Sequence, residues 1–344
     1  MKIQQLHPPL WQQLQNRRAQ LPHALLLSGQ RGLGKFALAS AFAAALLCER
    51  TTAANEACGT CPACGWLAQG NHPDWRLLQP AATAGGDSAD ADSDEGGKKK
   101  GGQQITIDQV RALDDFLHVG THRRGARLVL IHPAEAMNRA TANALLKSLE
   151  EPLPGTLFLL LTNEAHRLLP TIRSRCQVLP VARPAHSLAV EWLRDAGVTD
   201  ADRWLALAGG APLLAMELAS SGEKALLDAW LTQALRVDDG DALASAAELE
   251  KTLKTDSRPA AMKRLLEWVQ KWLYDLTLAS HALPPRYYLA QSAQLCQLAG
   301  RSDPRKLLAF NRKTLQYKKQ CEQPLNNRLF LEEFFLSYLS LFRR

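Results

Sequence analysis

ALLLSGQRGLGKFALA, residues 24–39, is the stretch on which the fold turns. Ala24–Leu27 is an apolar run of the length of a buried strand, three glycines follow at 29, 32 and 34, and a helix-forming stretch begins at Lys35. Strand, glycine loop and helix in that order cradle phosphate, because the loop amides and the helix N-terminus converge on one point. The frame from Gly29 through Gly34 and Lys35 fits G-x-x-x-x-G-K, but the next position, where a Ser or Thr hydroxyl holds magnesium, is Phe36. Two readings stay open here. Lys35 and the amides of residues 32–35 attract phosphate, or the glycines only permit a tight turn and Lys35 points into solvent.

Further β-rich runs follow this one: WRLLQP, ARLVLIH, TLFLLLTN and CQVLPV, separated by helical patterns. That alternation predicts a parallel α/β sheet covered on both faces. Between the second run and the next helix lies AATAGGDSADADSDEGGKKKGGQQ, residues 81–104, whose glycines and clustered like charges cannot build a core; a disordered loop is expected. After residue 182 no strand pattern recurs. Residues 183–224 read as a small helical domain and 225–344 as an all-helical one. In the latter, Leu265, Val269, Trp272 and Leu276 fall at helical spacing, and NRLFLEEFFLSYLSLF closes the chain with a second stripe. Such aromatics predict bundle core and subunit interface, not a cofactor site.

With 344 residues the chain is long enough for two or three cores, and its net charge of +7 suits a phosphate-bearing partner without demanding one. MKIQQLHPPLWQQLQ lacks the apolar centre of a signal peptide, and no run nears the roughly 20 apolar residues of a membrane span, so a cytoplasmic protein with no membrane partner is expected. In that compartment cysteines read as metal ligands before disulfides. Cys58, Cys61 and Cys64 form two overlapping C-x-x-C steps, and Cys48 ends the preceding helix. Thiolates so spaced surround a tetrahedral Zn²⁺ and leave no open position, which favours a structural zinc module over 48–64 against a catalytic ion or a nucleic-acid contact. His72 is the reserve ligand should Cys48 prove a plain helix residue; Cys176, Cys296 and Cys321 are scattered thiols.

A working P-loop ATPase also needs an acid at the end of a neighbouring strand to hold magnesium. After RLVLI stand His132 and Pro133 in place of an acidic pair, and Glu135, two residues on, is expected to cap or begin the next helix. With Phe36, these losses argue against hydrolysis. Further along, ATANALLKSLEEPLPGTLFLLLTNEAHRLLPTIRSRCQV, residues 140–178, places a helix stopping at EEP, a buried strand ending in Thr162 and Asn163, and a helix leading to Ser174-Arg175-Cys176.

These parts, with the cysteine quartet after the P-loop helix, closely resemble the clamp-loader branch of the AAA+ ATPases over about residues 5–182. The resemblance implies an AAA+ P-loop domain at 1–182 with the zinc insertion, a lid at 183–224 and an oligomerising collar at 225–344. It implies a degenerate nucleotide site at Gly29, Gly32, Gly34, Lys35, Thr162 and Asn163, the last two being the strand end with which relatives sense phosphate. Motor members carry a nucleotide-contacting arginine in the lid, where GGAPLLAM puts Pro212 here. Arg175, supported by Ser174 and Cys176, is implied to act as an arginine finger in trans on a neighbouring motor subunit; an internal ion pair is the plainer alternative. The implied partners are the motor (gamma/tau) and delta subunits of a bacterial DNA polymerase III clamp loader, the sliding clamp (beta) and primer-template DNA, with ATP bound in the motor subunits. Two other readings are an active motor subunit of the same branch, against which Phe36, His132 and Pro133 speak, and a zinc-dependent DNA-binding module. The cysteine loop has one aromatic neighbour, Trp66, and few basic residues for the latter role.

Overall fold

The computed structural model describes residues 2–81, 102–118, 126–238, 240–253, 258–321 and 326–342, so most of the expected loop at 81–104 lies outside the described residues. Two compact units divide the chain, residues 1–184 and 185–344.

The first unit opens with two short helices, α1 (Ile3–Leu6) and α2 (Pro8–Asn16), and then alternates strand and helix: β1 (Ala24–Ser28), α3 (Lys35–Leu47), α4 (Pro62–Ala68), β2 (Trp75–Leu78), α5 (Ile107–His118), β3 (Arg127–Ile131), α6 (Arg139–Glu150), β4 (Thr156–Thr162), α7 (Pro170–Arg175) and β5 (Gln177–Pro180). All five runs read from the sequence are strands, and they form one parallel sheet in the order β2-β3-β4-β1-β5. Parallel strands joined by helices have both faces covered, which is why β3 and β4 are buried along their whole length and read as unbroken apolar runs. The register pairs Ser28 with Thr162 and Ile131 with Leu160. Gly29, His132 and Asn163, each one residue past its strand, therefore gather along a single sheet edge, the edge at which open parallel sheets bind ligands.

Local chemistry sets the helix starts. Asn138 caps α6 by accepting from the Thr141 N–H at 2.9 Å. Ala142, Leu145 and Leu149 turn inward and pack on Val129, Phe158 and Leu160 of the sheet. Glu135 departs from expectation. It lies in the 3₁₀ turn Ala134–Ala136 and points to β4, not to the start of α6. Its carboxylate has stronger donors in the Asn163 amides than an already capped helix end would offer.

The second unit is helical throughout its described residues: α8 (His186–Asp195), α9 (Ala201–Leu207), α10 (Pro212–Ser220), α11 (Lys224–Leu235), α12 (Ala242–Thr252), α13 (Arg258–Ser280), α14 (Ser292–Ala299), α15 (Pro304–Gln320) and α16 (Asn327–Leu339). The expected boundary at 224 falls inside this unit, where Lys224 pairs with Asp200 at 3.2 Å and Lys271 donates to the Leu207 carbonyl at 2.7 Å. Leu265, Val269, Trp272 and Leu276 line the buried side of α13. Trp230, Phe334, Phe335 and Tyr338 interlock around them, so the terminal aromatics are core. Trp272 donates its indole N–H to the Tyr338 hydroxyl at 3.0 Å, and that hydroxyl donates to the Ala234 carbonyl at 2.9 Å. These two buried polar tips, of Trp272 and Tyr338, are thereby paired.

One buried charge organises this unit. Asp275 on α13 is fully enclosed, and its carboxylate accepts the backbone N–H groups of Arg286, Tyr287 and Tyr288, each at 2.8 Å. Three donors take the place of water and tie the loop after α13 back onto the helix. Replacing Asp275 by Ala leaves three amides, that of Tyr288 buried and the other two partly so, without their acceptor, a loss of roughly 3 kcal/mol. For a unit of this size the melting temperature should fall by roughly 6–12 °C. An unchanged thermal transition would show that the loop is held by other means.

Candidate functional site

The phosphate loop is filled by its own lysine. Gly32 and Gly34 adopt φ of 81° and 84°, left-handed values open to glycine, and turn the chain from β1 into α3. Gly29 answers a different need, since a Cβ there would sit 2.7 Å from the Val181 carbonyl oxygen at the end of β5. Lys35, at the first turn of α3, is buried, not solvent-directed. Its ammonium donates to the carbonyls of Gly29 at 2.6 Å and Gln30 at 2.8 Å and to Asn163 Oδ1 at 2.8 Å. All three hydrogens of the ammonium thus have oxygen acceptors within the chain. Burial lowers its pKa to about 8, with the nearby Glu135 charge opposing.

Asn163 and Thr162, around it, are paired in the same way. Asn163 donates its backbone N–H at 3.0 Å and its side-chain amide at 2.9 Å to Glu135 Oε1. Burial alone would raise the Glu135 pKa; hydrogen bonds from its own backbone, Thr162 and Asn163 outweigh it and hold the carboxyl below its usual range. Thr162 is buried and accepts from the Glu164 N–H at 3.1 Å. Phe36 lies 5.3 Å, ring centre to ring centre, from His132, the two planes tilted by 35°. The two positions where a P-loop ATPase keeps its magnesium ligands thus hold a pair of rings in contact. Burial, aided by Lys35, lowers the His132 pKa and favours the neutral imidazole. The loop is also tied from outside: buried His7 donates Nε2–H to the Leu33 carbonyl at 2.6 Å, and Arg183 reaches Gln30 Oε1 at 3.1 Å. With Phe36 and His132 at those two positions and Glu135 Oε1 taken by Asn163, the described residues there do not supply the paired hydroxyl and strand-end acid that a magnesium–nucleotide complex needs.

The four predicted cysteines do come together. The sulfurs of Cys48, Cys58, Cys61 and Cys64 all lie within 4.8 Å of one another, and Cys48 and Cys61 are 3.9 Å apart. Cys48 ends α3, and Cys61 stands at the N-cap of α4. Backbone N–H groups point at the sulfurs, from Cys58 to Cys48 at 3.2 Å and from Cys61 to Cys58 at 3.3 Å. Donors from Thr60 and Cys61 bring the Cys58 thiol down to about 6, whereas burial takes Cys64 up to about 12. The local core is only Cys48, Cys61 and Ala63 with a few half-buried neighbours, so a bound ion would supply cohesion that apolar burial does not. The quartet can hold a metal ion. His72 stands apart, buried edge-on to Trp66 with Nδ1 accepting from the Asp74 N–H.

Arg175 closes α7 and keeps a third of its side chain in solvent. Its Nη2 meets Glu150 Oε1 at 2.5 Å, and Nη1 donates to the Thr171 carbonyl at 2.9 Å. Ser174 donates to that same carbonyl at 3.0 Å. Cys176 is buried in the core beneath the sheet, which raises its thiol to about 11, an inert packing group. Sequence reasoning singled out Arg175 but not Glu150, His7 or the inward turn of Glu135; each is a contact across the fold with no local pattern to announce it.

Comparison with known proteins follows this geometry. The family described as "DNA polymerase III, delta subunit" matches residues 6–185. A DNA polymerase III subunit delta' from Pseudomonas aeruginosa is 35% identical over 345 residues, covering 96% of each chain. The subunit of the same name from Escherichia coli is 31% identical over 293 residues, covering 84% of this chain and 79% of that one. Among solved structures, a DNA polymerase III gamma subunit-related protein from Thermotoga maritima is 19% identical, with a TM-score of 0.47 over 97% of this chain and all of that one.

The depressed Lys35 pKa has a measurable consequence. Below about pH 8 the lysine is protonated in both folded and unfolded chains; between about 8 and 10.5 the unfolded chain holds a proton the folded chain has lost. Stability carried by this group therefore rises with pH across that window. Urea denaturation of wild type and Lys35→Met should show the difference moving in favour of wild type from pH 8 upward. A constant difference would place the ammonium in water.

Proposed function

The chain belongs to the DNA polymerase III delta-subunit family, and from that premise we propose that it is a non-hydrolysing subunit of a clamp loader, lending an arginine to a neighbour's ATP site. The observation that carries this reading is the commitment of Lys35 to Gly29, Gln30 and Asn163. A lysine so placed contributes to the fold of its own loop, while Arg175, within the intact Ser174-Arg175-Cys176, keeps a third of its side chain in solvent with guanidinium hydrogens to spare.

Under this reading residues 1–182 form an AAA+ P-loop domain, 183–224 its lid and 225–344 a collar that joins the subunits. The gamma/tau motors and the delta subunit are its partners in the ring, and the loader opens the sliding clamp and closes it on primer-template DNA in the cytoplasm. ATP is hydrolysed in the motor subunits. Arg175 stabilises charge on the γ-phosphate there, since a planar, permanently charged fork suits that task. Its pairing with Glu150 does not oppose the role: both side chains are partly exposed, and such pairs are weak enough to yield to a phosphate.

The four cysteines hold a structural Zn²⁺. Tetrahedral bonds of about 2.3 Å require sulfurs about 3.8 Å apart, close to the Cys48–Cys61 separation, and four thiolates leave no position for substrate. The ion would join the end of α3 to α4 and take no part in hydrolysis.

Two experiments test these statements. In a loader reconstituted from full-length subunits with clamp and primed DNA, Arg175→Ala should leave assembly intact and lower ATP turnover and clamp loading at least about tenfold. Wild-type turnover in that variant would remove the finger, and turnover by the isolated chain would make it a motor subunit instead. For the metal, elemental analysis should find one zinc per chain, and chelation or Cys61→Ser should lower the melting temperature by roughly 5–10 °C. Zinc-free protein of unaltered stability would contradict the module.

A further inference from the structure

We propose that Glu150 is a positioning residue for Arg175, fixing the plane of the guanidinium before a neighbour's phosphate arrives; this rests on the reading of Arg175 as a finger and deepens it. The two residues end consecutive helices, Glu150 the last residue of α6 and Arg175 the last of α7. They are 25 positions apart in the chain, and β4 runs between them, so the fold itself makes this contact.

The guanidinium is held at two points. Glu150 Oε1 meets Nη2 at 2.5 Å, and the Thr171 carbonyl accepts from Nη1 at 2.9 Å, with Ser174 Oγ further off at 3.5 Å. The backbone is secured as well, for His23 Nε2 donates to the Arg175 carbonyl at 3.0 Å just ahead of β1. One contact would leave the planar group free to swivel about its bond; two on different nitrogens set its plane. An arginine has five N–H donors, so Nε and the second hydrogen of Nη2 stay available after these contacts are made.

An unrestrained surface arginine has extensive rotamer freedom, and a finger recruited from that ensemble must be ordered during the reaction. A finger already ordered by its own subunit presents donors that need no reorganisation when charge develops. Glu150 is well suited to this task, because it is about half exposed and its replacement disturbs no core packing. The neighbouring Leu149, by contrast, is buried and serves the sheet. The one-sided chemistry matters too. A carboxylate on the inner edge draws the guanidinium toward α6 and leaves the outer edge to the solvent, from which a partner would approach.

The test uses the reconstituted loader with clamp and primed DNA and four versions of this chain: wild type, Glu150→Gln, Arg175→Ala and the double variant. Glu150→Gln should lower kcat about two- to five-fold, the range expected of a partly exposed ion pair, with KM for ATP and assembly on a sizing column unchanged. In the Arg175→Ala background it should cause no further loss, because a residue that acts through Arg175 has nothing left to position. A Glu150→Gln loader at the wild-type rate or above it, alongside a slowed Arg175→Ala loader, overturns the role of Glu150 and leaves the finger standing. A loss that persists without Arg175 overturns it also, since Glu150 would then act elsewhere. Wild-type turnover in Arg175→Ala removes the finger and this inference together.

Discussion

A buried ammonium must find oxygen, and at the working edge of this sheet the nearest oxygens belong to the loop that carries it. Lys35 bonds two loop carbonyls and the Asn163 side chain, and the surrounding structure follows from that choice. Asn163, with its oxygen taken, turns its amide to Glu135, and Glu135 is drawn away from the helix start toward β4. Phe36 and His132 lie beside them as a tilted pair of rings. Lys35, Asn163 and Glu135 thus form one chain of hydrogen bonds, with the Phe36 and His132 rings beside it.

The contrast with Arg175 is one of location. Lys35, Asn163 and Glu135 Oε1 are turned inward and paired with one another, whereas the guanidinium keeps a third of its side chain in solvent. With its lysine committed in this way, the loop is a turn with an internal cross-link. The turn also serves packing, because Gly29 lets the end of β5 approach within a distance that a side chain would block.

Much of this was legible in the residues. Five apolar runs became five strands, since a strand buried on both faces has little choice but to be apolar throughout. The cysteine spacing foretold a cluster because C-x-x-C fixes two sulfurs locally, and Cys48 needed only the end of a helix to reach them. What stayed hidden was tertiary pairing. Glu135 reads as a helix-start acid by its position, and nothing in the sequence says that Asn163, 28 residues on, offers it two N–H groups. The Glu150–Arg175 pair was masked by its motif, in which EEP simply marks where a helix stops. Likewise, an acid in mid-helix such as Asp275 looks like a solvated face until the loop that folds over it is seen.

The helix α3 joins two of these places. Lys35 is its first residue, Cys48 caps its last turn, and its 13 residues span about 20 Å. Most of its length is buried against the sheet, so it cannot bend or slide independently. It behaves as a stiff rod clamped at both ends, by an ammonium in a cage of carbonyls and by a sulfur among sulfurs. The phosphate loop at one end and the cysteine cluster at the other thus share a single helix as their support.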